Sequence, residues 1–153
     1  MATIKQADFI QSVTDAFQFI SYYHPVDYIK SLYAAYQREQ SPAAKDAMAQ
    51  ILINSRMAAE GHRPICQDTG IAIAFIKVGM DVRWDAKLSI EEMVNEGVHR
   101  AYTDPDNTLR ASVLADPDGK RSNTRDNTPA VTHVQLVPGD KVEVTVAAKG
   151  GGS

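Results

Sequence analysis

Apolar positions recur every three or four residues through the first part of the chain and every second residue near its end, so the periodicity changes from helical to strand-like along the sequence. Phe9, Ile10, Val13, Phe17 and Ile20 form the stripe of a first helix. Pro25 suits the opening of a second, whose face carries Val26, Ile29, Leu32 and Tyr36. Ser41-Pro42 reads as an N-cap with proline at the first helical position. Met48, Ile51, Leu52, Ser55 and Ala59 then make the stripe of a third helix, and Gly61 stands where a C-terminal cap belongs. These stripes and their tyrosines are packing surface rather than chemistry.

Beyond Cys66 the pattern shortens. Residues 71–78 are a nearly continuous apolar run, the mark of a buried strand. Gly79-Met80-Asp81 breaks it, and Val82-Arg83-Trp84 is expected to return beside it. Ser89 with Glu92 three residues later is a capping-box pattern, opening a helix with Ile90, Met93, Val94, Val98 and Ala101 on one face. Asp104-Pro105-Asp106-Asn107 closes that helix, and a polar loop occupies 116–129. Val131–Val137 and residues 141–147 flank Pro138-Gly139-Asp140, a turn of hairpin length. In the second arm Val142, Val144 and Val146 alternate with Lys141, Glu143 and Thr145, giving one buried face and one wet one. The expected fold class is α+β within a single unit, 1–153. Amino-terminal helices (1–61) are followed by an α+β part (62–153): a mixed sheet, one more helix and a carboxyl-terminal hairpin.

Composition narrows the function classes. A hydrophobic share of 44% and a charged share of 23% over 153 residues suffice for a core and argue against disorder. Net charge −3 gives no general pull toward nucleic acid or anionic membrane, and the basic residues are scattered. The opening residues lack the apolar core of a signal peptide, and no run approaches the roughly 18 apolar residues of a membrane span. Cys66 is the only cysteine, so there is no internal disulfide, and a reducing, cytoplasmic setting is expected.

Candidate chemistry concentrates in Arg63-Pro64-Ile65-Cys66-Gln67-Asp68-Thr69-Gly70. Here thiol, amide, carboxylate and hydroxyl stand together on a loop between a helix and a strand. Cys66 has three readings: an inert small residue, a nucleophile needing a nearby histidine, or a metal ligand needing more thiolates than this chain has. His24, His62, His99 and His133 are too far apart in sequence to form a close ligand pair. Arg110 suits either a two-pronged clamp on a carboxylate or an ordinary ion pair. The closing Lys149-Gly150-Gly151-Gly152-Ser153 lacks phosphate-loop spacing. It reads as a linker scar or as bare backbone approaching something closely.

Four separated motifs, Pro64-Ile65-Cys66-Gln67-Asp68-Thr69-Gly70, Asn107-Thr108-Leu109-Arg110, Asp126-Asn127-Thr128-Pro129-Ala130 and Ala148-Lys149-Gly150-Gly151-Gly152-Ser153, occur in the order found in class I fumarases, and the chain resembles that family from its first helix to its last residue. Tyr22-Tyr23-His24-Pro25 is similar to the long, single-chain bacterial form. The family comprises oxygen-sensitive hydro-lyases with a [4Fe–4S] cluster; tartrate dehydratase is a close relative.

The resemblance implies reversible hydration of fumarate to (S)-malate, a reaction of the tricarboxylic acid cycle, in a cytoplasmic homodimer. It implies that Cys66 is one of three thiolate ligands, that Gln67 and Asp68 contact the dicarboxylate, that Asp68 transfers a proton, that Arg110 clamps a carboxylate and that Gly152 approaches the substrate through its backbone. The other two cluster cysteines and the carboxyl-terminal part lie past the glycine motif in the family. The chain is therefore expected to be an amino-terminal portion, without a cluster and inactive by itself. Tartrate dehydratase and a non-catalytic interaction module are the competing expectations. A cysteine hydrolase is the third.

Overall fold

The alternation in residues 71–79 decides how the molecule is layered. In the computed structural model, which describes residues 2–107 and 109–150, these residues form strand β2 (Ile71–Gly79). Before it come β1 (Thr3–Lys5) and the helices α1 (Gln6–Tyr22), α2 (Val26–Arg38) and α3 (Pro42–Gly61). After it come β3 (Arg83–Asp85), α4 (Ile90–Thr103), β4 (Val131–Val137) and β5 (Val142–Lys149). The α+β class with a mixed sheet follows the expectation.

Successive side chains of a strand point to opposite faces. Ala72, Ala74, Ile76 and Val78 accordingly face the helices and are buried. They share a core with Phe9, Ile10, Val13 and Phe17 of α1 and with Met93, Val94, Val98 and Ala101 of α4, against which Val142, Val144 and Val146 pack. The opposite face is open: Phe75 is 46% exposed and stacks on His133 at 5.0 Å. The apolar run is thus buried on one face, where the sequence pattern predicted a wholly buried strand.

The closing strands lie where the pattern puts them and run antiparallel, but β2 lies between them, in the order β4-β2-β5. β2 runs parallel to β4, with Phe75 opposite His133, and antiparallel to β5, with Phe75 opposite Thr145. Pro138-Gly139-Asp140 therefore spans the end of β2 instead of closing a two-strand ladder. The amides of Gly79, Met80 and Asp81 donate to the carbonyls of Lys141, Val137 and Gly139 at 2.8–2.9 Å. A Cβ on Gly79 would overlap the Gly139 carbonyl, so a glycine is needed under the turn.

Three other expectations are corrected. β3 does not return beside β2; it pairs in parallel with β1, Ile4 opposite Trp84, and Phe9 meets Trp84 edge-on at 5.3 Å. α3 is capped not by Gly61 but by His62, in the left-handed conformation at φ 46°. α2 buries no residue completely, and Val26 is 69% exposed. Ile29, Leu32 and Tyr36 are half-buried, and α2 packs on α3 as a two-helix arm. Among the described residues no helix is long and apolar enough to cross a membrane.

Candidate functional site

Gly70 stands at the meeting point of the four sequence motifs. At φ 66° it takes a backbone conformation that side-chain-bearing residues rarely adopt, and a Cβ there would overlap the Lys149 carbonyl. The Cys66 loop is thereby pressed directly against the end of β5.

Asn127 ties its own motif, and the segment just past Arg110, to the same point. It is fully buried, with φ 61°, a region asparagine tolerates better than most residues. Its Nδ2 donates to the Gly70 carbonyl at 2.9 Å, while its Oδ1 accepts from the amides of Ser112 at 2.8 Å and Val113 at 3.2 Å. Ser112 Oγ also donates to the Gly70 carbonyl, at 3.1 Å. Thr69 Oγ1 donates to the Arg110 carbonyl. Beneath them the Tyr102 hydroxyl donates to the Thr69 carbonyl at 3.4 Å. Burial pushes the Tyr102 phenol up to about 12, against an opposing hydrogen bond with Asn127.

Neighbouring groups brace this centre. Burial pushes the Asp126 carboxyl up, but hydrogen bonds from the Thr128 amide and from His99 outweigh that and hold it below its ordinary value. The Thr128–Pro129 peptide bond is cis, and the Ala130 amide donates to Asn95 Oδ1 at 2.8 Å. On the other side the Ile65 amide donates to the Ser21 carbonyl at 2.9 Å, and Asn54 Nδ2 donates to the Ile65 carbonyl at 3.0 Å. These bonds fix the Cys66 loop to α1 and α3.

The loop lines an open cavity of about 220 Å³ whose wall includes Ser21, His24, Cys66, Asp68, Thr69 and Ala148. A larger groove of about 540 Å³ at the end of α3 shares only Pro64 with it and holds none of the predicted site residues, so the chemistry points to the smaller space. Asp68 Oδ1 accepts from the Gly70 amide at 3.0 Å. Its Oδ2 would stand 2.8 Å from a Cβ on Gly150, so the carboxylate lies alongside the glycine run.

Of the predicted site residues, Cys66 and Asp68 share this cavity, with Cys66 an exposed free thiol. Gln67 is exposed beside them and not part of the wall. Arg110 joins through its backbone carbonyl, and the residue itself is exposed. Gly152 lies outside the described residues. His62 turns to Tyr23 instead, 3.4 Å from its hydroxyl. Sequence reasoning missed the tie through Asn127, though Asp126-Asn127 stood in a quoted motif, and it missed His24 as part of the cavity wall. Among the described residues no three His, Cys, Asp or Glu side chains gather to hold a metal ion. Cys66 offers one thiolate at the cavity, a donor set that suits one ligand of a shared cluster and no more.

A family model described as fumarate hydratase (Fumerase) matches residues 10–153. A putative L(+)-tartrate dehydratase subunit alpha of Methanocaldococcus jannaschii is 35% identical over 89 residues, 58% of this chain and 31% of that protein. The anaerobic class I fumarate hydratase of Escherichia coli is 40% identical over 116 residues, 75% of this chain and 20% of the relative. Fumarate hydratase 2 of Leishmania major is 39% identical over 104 residues, 67% of this chain and 18% of the relative. The chain thus spans between 18% and 31% of the length of these relatives.

Proposed function

This chain belongs to the fumarate hydratase (Fumerase) family, and from that premise we propose that it supplies one wall of the active site of a hydro-lyase interconverting fumarate and (S)-malate. The observation that carries the reading is the convergence of the Cys66 loop, the Arg110 segment, Asn127 and the Lys149-Gly150 backbone on Gly70, beside a cavity lined by Cys66 and Asp68.

Cys66 fits one ligand position of a [4Fe–4S] cluster. The remaining thiolates must come from outside these 153 residues, which contain no second cysteine. When bound, the cluster supplies an open iron that acts as a Lewis acid toward a substrate carboxylate and hydroxyl. The chain's own side chains do the rest. Addition of water across the double bond builds negative charge on a carboxylate, and the Arg110 guanidinium stabilises it with two parallel hydrogen bonds. Asp68 has one oxygen fixed by the Gly70 amide, so its other oxygen exchanges the proton. The Gln67 amide holds the second carboxylate, and the glycine run through Gly152 lets the backbone approach the substrate. The working enzyme is a cytoplasmic homodimer, and this chain alone is inactive for want of the other thiolates.

The test is anaerobic reconstitution of the natural full-length protein, followed by its iron content and by the ultraviolet absorbance of fumarate formed from malate. Bound iron and malate turnover are expected, with Asp68→Asn lowering kcat by about 100-fold or more. A full-length protein that takes up no iron and leaves both malate and tartrate unchanged overturns the reading. The Methanocaldococcus relative favours tartrate as a second substrate class, and the ratio of kcat/KM for the two acids decides between them.

A further inference from the structure

We propose that His24 is a substrate-contacting residue of the Cys66 cavity, its Nε2–H donating a hydrogen bond to a carboxylate of the four-carbon diacid. This rests on the reading of that cavity as the reaction pocket.

A dianionic substrate needs donors on the wall it meets, and this wall offers few. Among the described residues it contains no lysine or arginine, Arg110 and Gln67 not being part of it, and Asp68 is an acceptor when ionised. The Ser21 hydroxyl already donates to the Phe17 carbonyl, and the Thr69 hydroxyl to the Arg110 carbonyl. The Cys66 thiol is assigned to the cluster. Among the described residues His24 is the remaining polar side chain on the wall.

Its ring is held from two sides. Nδ1 lies 3.0 Å from Ser55 Oγ, itself only 8% exposed, and the ring stacks on Tyr28 at 4.7 Å. With the Ser55 hydroxyl donating to Nδ1, the neutral imidazole carries its proton on Nε2, which becomes a fixed donor. Burial lowers the His24 pKa, in keeping with a neutral ring. His24 also lines a second, apolar cavity of about 370 Å³ together with Phe19, Tyr23, Pro25 and Val146.

The experiment uses the natural full-length protein, with malate as the probe. His24→Ala is expected to raise KM for malate about tenfold or more, the loss of a hydrogen bond to a charged group, with a smaller change in kcat. His24→Gln, whose amide N–H reaches near the Nε2 position, is expected to recover most of it. In 15N spectra of the wild-type histidine rings, malate is expected to shift His24 and leave His62, His99 and His133 in place. Unchanged KM in His24→Ala in a protein that turns over malate overturns this inference and leaves the proposed activity intact. A wild-type protein without diacid turnover overturns the activity instead. In that case the ring spectrum still decides: a malate-dependent His24 shift keeps the contact, and no shift removes it.

Discussion

Asn127 carries no charge and reaches no solvent, yet three backbone groups from two separate stretches depend on it. Replacing it by alanine leaves the Gly70 carbonyl one donor short and the half-buried Ser112 and Val113 amides without their acceptor. Each buried group left unpaired costs about 1–3 kcal/mol, so a loss on the order of 3 kcal/mol is expected for Asn127→Ala in urea unfolding. Tyr102, packed below, makes a pH-dependent prediction. Its native pKa of about 12 lies above the unfolded value near 10. Its contribution to stability is therefore complete below pH 10 and is lost as pH rises through about 12, because the unfolded chain releases the proton first. Tyrosinate absorbance at alkaline pH should show Tyr102 ionising late among the six tyrosines, and a Tyr102→Phe variant should lose that late step.

Between elements, α1 and α4 cross in close contact at Gly97. A Cβ on Gly97 would stand 2.7 Å from the Val13 Cβ and 3.1 Å from the Ile10 carbonyl oxygen, while Thr14 Oγ1 donates to the Gly97 carbonyl across the same contact. The Val13 Cβ is fixed to the backbone and cannot swing away, so Gly97→Ala must push the helices apart. Overpacking of this kind costs about 1–3 kcal/mol. The gain in helix propensity offsets about 1 kcal/mol, leaving a net destabilisation on the order of 1 kcal/mol, readable as a lower Tm. This scale also shows what the sequence could reveal. The Ser89–Glu92 capping box was legible because both partners lie within one turn, and it is present in full. The pairing of β3 with β1 and the insertion of β2 between β4 and β5 were not legible, because period-2 alternation says which face of a strand is apolar and nothing about its neighbour. The left-handed cap at His62 escaped notice because the adjacent Gly61 is the residue usually found there.

Across the whole molecule, stability is unevenly spread, and the site lies on the boundary. Cys66 and Asp68 were visible from the local motif alone. That Asn127 and His24 belong with them follows only from long-range contacts, to Gly70 and Ser55 respectively, that no local spacing encodes. One side of the cavity rests on the α1–α4–sheet core. The other rests on the α2–α3 arm, which buries only Ser55 and Ala58 and exposes Val26, Tyr33, Ile53 and Met57 by half or more. Segments with few buried apolar contacts open at lower free energy than the global transition. Hydrogen exchange should therefore run fastest in the α2 amides, slower in α3 near Ser55, and slowest in α1, α4 and β2. Ser55 and Asn54 connect the arm to His24 and Ile65, so a diacid held at His24 should slow exchange in the middle of α3 while leaving α4 unchanged. If the arm instead exchanges as slowly as α4 without ligand, it is part of the same cooperative unit, and the cavity wall is rigid before substrate arrives.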